Sequence, residues 1–383
     1  MASEVLVNDP RARAKLSQCL RSWYRQHARK LPWRDTTDPY AILVSEVMLH
    51  QTQVNTVLRY FERFMRKFPT VHSLAEASLE DVMKLWAGLG YYRRAKLLHA
   101  AAQKICAEFR GKVPPSIADL QQIPGIGRYT AGAIASFAFG VRAPIVEANS
   151  MRVLQRVFAR QLASEITRES RLWDLAELLL PVRNVREHNY AIMELGSLVC
   201  SPHEPNCEEC QIRLWCDAYE FGRPAEIGRG NLRLPKVDVH FITLAYLAGQ
   251  DLLLRRIPEG EWHAGTYGLP MVRVEFPSHG VADEQWVCSF VHGVKPYSLQ
   301  HIGCFRYSVT RHRVFSHLWL IRLSLPCAPS VLLNEEEASA FWIPLPNVTN
   351  LPLGSPHRRM VENVVRVTAE EKSNGRGQET LDS

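Results

Sequence analysis

The hydrophobic pattern of this chain changes period once, and that change limits the architectures open to it. From about residue 11 to 220, apolar residues recur at helical spacing between short turns. The stretch PYAILVSEVMLHQTQVNTVLRYFERFMRK (39–67) carries that period along its length, and SLAEASLEDVMKLWAGLG (73–90) has capping residues and a Gly stop. A further helix is expected over about 92–109, and VPPSIADLQQIPGIGRYTAGAIASFAFG holds two short helices around a Gly turn. After EIGRGNLRLPK (226–236), which reads as a linker, short alternating runs broken by Gly and Pro begin with VDVHFITLAYLAGQDLLLRR and read as strands. One helix is expected at 356–368, and the closing SNGRGQETLDS has a disordered composition. No internal repeat is visible. A chain of 383 residues exceeds what one core usually organises. The expectation is multidomain: an all-α domain, then a smaller α+β domain.

Charge adds a partner class. The net charge is +7, and basic residues interleave with aromatics in RSWYRQHARK (21–30), RYFERFMRK (59–67) and GYYRRAK (90–96). Such clusters suit a polyanion, above all nucleic acid, although a solvated helix face accounts for them equally well at this level. No apolar run approaches a membrane span, and MASEVLVNDP lacks the apolar core of a signal peptide. The expected location is therefore cytoplasmic (nucleoid-associated in a bacterium), with no membrane partner.

Four signals in the helical half carry chemistry. In IPGIGRYTAGAI (123–134), Gly125 and Gly127 make a tight turn whose amides face outward directly before a helix, an arrangement suited to phosphate. Many such turns only reverse the chain; here it sits between two short helices in a basic protein, as in helix-hairpin-helix elements. Nine cysteines are present, and four fall close together as Cys200-x6-Cys207-x2-Cys210-x5-Cys216. In a cytosolic chain that quartet reads as a site for Zn²⁺ or a [4Fe–4S] cluster, and the scattered five as small buried hydrophobes. Glu46 in ILVSEVML has Ile42, Leu43 and Leu49 on its face, where desolvation raises a carboxyl pKa and fits it to give up a proton near neutrality. A structural salt bridge to a buried Arg is the blander account of Glu46 alone. Glu147 in PIVEANSMRV precedes a helix start with Asn149 and Ser150 as capping residues, so the helix dipole should keep it ionised. One protonated and one ionised carboxyl divide the labour of glycosidic cleavage: one protonates the leaving group, the other stabilises an oxocarbenium-like sugar. With a phosphate-binding turn and a basic surface, the substrate suggested is a nucleotide flipped out of duplex DNA.

These motifs in this order, with LPWRDTTDPYAILVSEVMLHQTQV, WAGLGYYRRAK and ELGSLVC, resemble the MutY-type adenine DNA glycosylases of the endonuclease III, helix-hairpin-helix superfamily. The resemblance is dense over 15–220 and looser over 237–365. It implies a helix-hairpin-helix glycosylase domain (1–222) with a [4Fe–4S] loop (200–216), a linker (223–236), a Nudix-like domain that recognises 8-oxoguanine (237–368) and a disordered tail (369–383). Its implied cofactor is the [4Fe–4S] cluster, and its implied partner is double-stranded DNA with A:8-oxoguanine or A:G mispairs, bound by a monomer. Glu46 matches the acid that protonates the departing adenine, with Glu147 in the stabilising role and Tyr129 and Asn149 organising the catalytic carboxylate. Tyr129 also stands where bifunctional relatives carry a nucleophilic Lys, so strong lyase activity is not expected. DNA contacts are implied for Arg29, Arg34, Gln51, Thr52, Tyr91, Gly125, Gly127, Tyr190, Phe315, Ser316 and His317. Of these, Ser316 in the Phe315-Ser316-His317 loop is implied to hydrogen-bond the damaged base. No Glu-rich Nudix box occurs in 237–365, which points away from nucleotide hydrolysis.

Four positions depart from the family. Glu147 and Ala148 replace the usual Asp and Gly, Tyr190 replaces a Gln or Glu that contacts adenine, and His50 replaces a Gln. The longer Glu arm moves the carboxylate by about 1 Å, a displacement that can cost about 100-fold in rate. A mismatch glycosylase with a different target base, or a lesion-binding protein with little catalysis, remain open beside adenine excision.

Overall fold

The computed structural model describes residues 2–162, 168–228, 235–275, 284–333 and 339–379, apart from the side chains of 168–169 and 372–379. The chain divides into two compact units: Met1–Glu76 with Leu97–Arg233, and Ala77–Lys96 with Leu234–Ser383. The sequence pattern anticipates the division near the linker but not the assignment of 77–96, which it places with the first domain. That segment finds partners in the second unit: Tyr92 Oη donates to the Leu353 carbonyl at 3.3 Å, and Lys96 pairs with Glu259. Residues 229–234 of the expected linker lie outside the described residues, and just before them the Ile227 carbonyl accepts from Arg156.

The first unit is helical. Helix α1 (Pro10–His27) and helix α2 (Pro39–Leu49) each begin with Pro behind an Asp N-cap, Asp9 and Asp38, whose carboxylates accept from the first-turn amides. Every residue from Tyr40 to Met48 is buried, which places α2 inside the unit. The helical period seen over 39–67 is broken: α3 (Val54–Lys67) is a separate helix, because Gln51 adopts the left-handed region at φ 58. The polar HQTQ run carries too few apolar residues for periodicity to register that break.

Helices α4 (Ile117–Gln121) and α5 (Arg128–Phe139) flank the expected glycine turn. Gly125 has φ 79, and a Cβ there would stand 2.9 Å from Leu97 Cβ. Helices α6 (Ala148–Val157), α7 (Arg168–Leu179) and α8 (Val185–Leu198) close with α1 around Leu16, Leu20, Trp23, Leu154, Phe158, Leu172 and Leu195. Helix α2 packs on α5, and α8 meets α1, α5 and α6. A Cβ at Gly196 would lie 2.7 Å from the Asn149 carbonyl, so glycine lets α8 close on the first turn of α6.

The second unit is α+β. Strands β1 (Val237–Ala248), β2 (Asp251–Arg256), β3 (Tyr267–Gly268), β4 (Met271–Val274), β5 (Ser298–Val309), β6 (His312–Leu323) and β7 (Ala340–Pro344) form one sheet. Its order is β3-β2-β1-β6-β5, with β4 also paired to β1 and β7 to β2; β1 and β6 run parallel. Helix α9 (Ser355–Glu379) covers one face through Met360, Val361 and Val364 against Leu318 and Leu320. Ile242, Leu244, Trp319 and Ile321 form the core of the other face.

Two expectations are corrected here. Helix α9 continues to Glu379, past 368 and into the stretch expected to be disordered. Ala369, Glu370 and Glu371 are good helix formers, and Arg366 pairs with Glu370 one turn on. Of the tail, 380–383 lie outside the described residues. The scattered cysteines are not buried hydrophobes: Cys288 and Cys304 are exposed, and Cys19, Cys106 and Cys327 half-buried. Among the described residues, no helix is long and apolar enough to cross a membrane.

Candidate active site

Helix α2 carries Glu46 into the interior, where it is only 3% exposed. Tyr129, in the first turn of α5, donates its hydroxyl to Glu46 Oε2 at 2.7 Å. Burial pushes the Glu46 carboxyl up to about 7; the Tyr129 bond and Arg34 oppose the rise, and the Glu147 charge adds to it. Tyr129 is itself pushed well above its ordinary range, by burial first and then by the Glu46 and Glu147 charges, so it acts as a neutral donor.

Glu147 is the N-cap of α6, a place the sequence reading gives to Asn149 or Ser150. Its Oε1 accepts from the amides of Asn149 (2.9 Å) and Ser150 (2.8 Å), and Oε2 from Asn149 Nδ2 at 3.3 Å. Ser150 Oγ accepts in return from the Glu147 amide at 2.9 Å, completing a capping box. The dipole argument alone predicts a carboxyl held down, but burial outweighs the amide donors and Arg152, and Glu147 sits above the usual carboxylate range. Glu46 remains the one displaced to neutrality.

Behind Asn149, Arg152 Nη2 donates to Asn149 Oδ1 at 2.9 Å and to the Gly196 carbonyl at 2.6 Å. Its Nε donates to the Cys200 carbonyl at 2.7 Å. The start of the cysteine loop is thereby tied to the residue that holds Glu147.

Glu46, Glu147, Tyr129, Asn149, Tyr190, Arg29, Arg34, His50, Gln51 and Thr52 all line one cavity of about 300 Å³ within the first unit. Arg29 and Arg34, expected to contact DNA, are both engaged inside the protein, Arg29 with 35% of its side chain still exposed. Both grip the fully buried Glu194 on α8, at 2.7 and 2.8 Å, and only 9% of the Arg34 side chain is exposed. Burial works to raise the Glu194 carboxyl, but the bonds from Arg29 and Arg34 hold it down at about 2. Sequence reasoning missed Glu194, although it stands in AIMELG, an acid among apolar helical neighbours, by the same signal that singled out Glu46. Tyr190 is 5% exposed, with its ring stacked on Phe137 at 3.9 Å and parallel to Tyr24 at 6.3 Å. The Arg34 guanidinium lies 5.3 Å from the Tyr190 ring centre. His50 caps α2, with Nε2 and Thr130 Oγ1 3.3 Å apart. Gln51, exposed and left-handed, stands at the cavity edge, a strained position of the kind found at functional sites.

The remaining expected residues lie elsewhere. Gly125 and Gly127 are exposed in the α4–α5 turn, with Gly127 as N-cap of α5. Tyr91, 49% exposed and at φ 47, belongs to the second unit. On β6, Phe315 and His317 share one face of the sheet, stacked on His240 at 4.9 and 6.3 Å. Ser316 points the other way: it is 0% exposed, bonded to Thr243 at 2.5 Å and to Met360 Sδ at 3.3 Å. The hydroxyl expected to read a base is committed to the sheet–helix interior.

Cys200, Cys207, Cys210 and Cys216 are half-buried and near enough to perturb one another. Burial first, then the neighbouring sulfurs, pushes Cys210 up to about 11 and Cys216 up to about 12, so thiolates there need a cation to form. Arg156, 1% exposed, donates to Cys200 Sγ at 3.1 Å and to the Ser201 and Pro202 carbonyls. Among the described residues, no three His, Cys, Asp or Glu side chains converge enough to hold a single metal ion.

A buried acid bonded to a tyrosine, beside a helix-capping carboxylate and a helix-turn-helix with an exposed glycine turn, defines a helical base-excision scaffold. Residues 44–178 match the HhH-GPD superfamily of base excision DNA repair proteins. The adenine DNA glycosylase of Rattus norvegicus is 45% identical over 225 residues, covering 56% of this chain and 42% of that protein. That of Mycobacterium tuberculosis is 39% identical over 213 residues, covering 55% of this chain and 69% of that protein. A solved thermostable thymine-DNA glycosylase superposes with a TM-score of 0.52 at 30% identity, over 55% of this chain and 97% of that one. The chain belongs to the MutY-type adenine DNA glycosylase family. Its aligned region spans only about two-fifths of the length of the rat, human and mouse relatives, at 42%, 38% and 41%.

Proposed function

We propose that the protein is a monofunctional DNA glycosylase that hydrolyses the bond between adenine and deoxyribose where adenine is mispaired with 8-oxoguanine or guanine. The observation that carries this is the pairing, in one cavity, of Glu46 held at neutrality and bonded to Tyr129 with Glu147 fixed by three donors. Glu46 gives its proton to a ring nitrogen of the extruded adenine, so the electrons of the breaking C1′–N bond leave with a neutral base. Ionised Glu147 stabilises the positive charge that develops on the sugar. Water then adds its oxygen to C1′ and returns a proton to Glu46. With Tyr129 where an amine nucleophile would stand, no Schiff base forms there.

The same reading gives Cys200, Cys207, Cys210 and Cys216 to a [4Fe–4S] cluster. Four half-buried thiols on one short loop, with Arg156 donating to Cys200 Sγ, fit such a group. The cluster would cross-link the loop, and no step of base release runs through it. The exposed amides at Gly125 and Gly127 suit a backbone phosphate, Gln51 suits entry into the duplex, and the Phe315–His317 face suits contact with the 8-oxoguanine strand. The likeness to a thymine-DNA glycosylase supports one second reading, a mispaired thymine as the base removed.

The test is single-turnover base release from duplexes holding A opposite 8-oxoguanine and T opposite G, with wild type, Glu147→Asp and Glu147→Gln. Adenine release that the Gln variant abolishes is the expected result. Thymine release without adenine release supports the second reading, and binding with no release from either duplex overturns both.

A further inference from the structure

The carboxylates that line the cavity are already engaged, Glu46 by the Tyr129 hydroxyl. Glu194 takes four bonds, two from Arg29 side-chain nitrogens, one from the Arg29 amide and one from Arg34. Glu147 is committed to Asn149 and Ser150. That leaves the Tyr190 hydroxyl, which bonds to no other described residue and is held in place by the stack of its ring on Phe137. A carboxylate at this position would only accept, and so would select the 6-amino group of adenine. A hydroxyl both donates and accepts.

We propose that this pocket takes 6-oxopurines as well as adenine, and that Tyr190 is the residue that removes the discrimination between a 6-amino and a 6-oxo edge. The inference rests on the adenine-excision reading of the same site. An adenine amino group has one acceptor to meet, Tyr190 Oη. A 6-oxo group has one donor to meet, Tyr190 Oη–H. A hydroxyl that can pair with either exocyclic group lacks the penalty by which a fixed acceptor rejects the 6-oxo edge.

The probe is hypoxanthine, the 6-oxo counterpart of adenine, placed opposite 8-oxoguanine in the same duplex. Single-turnover release of both bases is measured with one preparation, so an inactive fraction cancels in the ratio. Wild type should release hypoxanthine within about tenfold of adenine. Tyr190→Glu, acceptor only, should raise the adenine-to-hypoxanthine ratio by about 100-fold or more. Tyr190→Phe, which keeps the ring stack and removes the acceptor, should move the ratio toward hypoxanthine. Adenine release with hypoxanthine more than about 100-fold slower overturns the inference and leaves the adenine reading standing. Release of both bases with a ratio that neither variant moves overturns the role of Tyr190. Release of neither base overturns the underlying reading itself.

Discussion

Raising the pH should disable Glu46 before any other group in the cavity. Its carboxyl lies near 7 against an ordinary 4.5, roughly 3 kcal/mol in favour of the protonated form. At pH 7 about half of the molecules then hold the proton, where an unshifted Glu would hold it in about one in 300. The working form of Glu46 is the acid, so its population falls as pH rises through about 7. The single-turnover rate should drop about tenfold per unit on the alkaline side. Glu147 works ionised, and because burial raises its pKa, the acid limb should lie above the usual carboxylate range. The two limbs belong to the coupled pair rather than to either residue. Tyr129 separates this reading from an unrelated pH effect: its hydroxyl favours the ionised form of Glu46, so Tyr129→Phe should carry the alkaline limb to higher pH. The assay is quenched-flow base release from an A:8-oxoguanine duplex between pH 5 and 9.5, with DNA binding followed in parallel. A rate flat through neutrality, or an alkaline limb that moves down in Tyr129→Phe, would refute the assignment of Glu46 as the proton donor.

Two further outcomes follow from neighbours of the site. Glu194→Gln leaves Arg29 and Arg34 without their shared counter-charge and should destabilise the first unit by about 3 kcal/mol or more, seen as a lower urea midpoint. Because Glu194 is held at about 2, its stabilising effect is present above about pH 4.5 and lost as pH falls toward 2; a variant as stable as wild type at pH 7 would sink this account. Arg152→Gln frees Asn149 from its anchor on the Gly196 and Cys200 carbonyls, and should lower base release by about 10- to 100-fold while leaving duplex affinity intact. An equal loss in affinity and rate would mean that Arg152 holds the fold and not the carboxylate.

Glu46 could be picked out of the sequence because an acid on an apolar helix face is costly, and the cost itself signals use. Glu194 shows how far that signal reaches. The same pattern in AIMELG marks a carboxylate whose cost is met by two arginines from a distant segment, and pattern alone cannot say which acid has a counter-charge. For Glu147 the helix start was legible, but the net direction of its pKa was not, since the dipole is a local effect and burial depends on how α8 closes over α6. Ser316 was only half legible: strand alternation puts residues 316, 318 and 320 on one face and 315, 317, 319 and 321 on the other, but both faces carry core residues, so alternation alone does not say that Ser316 is buried. Segment 77–96 was beyond reach, because its partners at Glu259 and Leu353 lie far along the chain.

The substitution that looked most damaging in the sequence, Glu for Asp at 147, is one the local structure can absorb. An N-cap position rewards a side-chain oxygen that reaches back to the second and third amides of the helix. The longer Glu arm does so at 2.9 and 2.8 Å, and Asn149 Nδ2 takes its other oxygen. The extra methylene is therefore spent in the cap geometry and does not leave the carboxylate loose. The shift in position that it imposes is fixed, and a fixed shift can be met by a base held differently. Tyr190 lines the same cavity, and on the proposed reading it is where the base is held. The two departures from the family are thus better read together, as one site adjusted at both the sugar and the base, than as two separate defects.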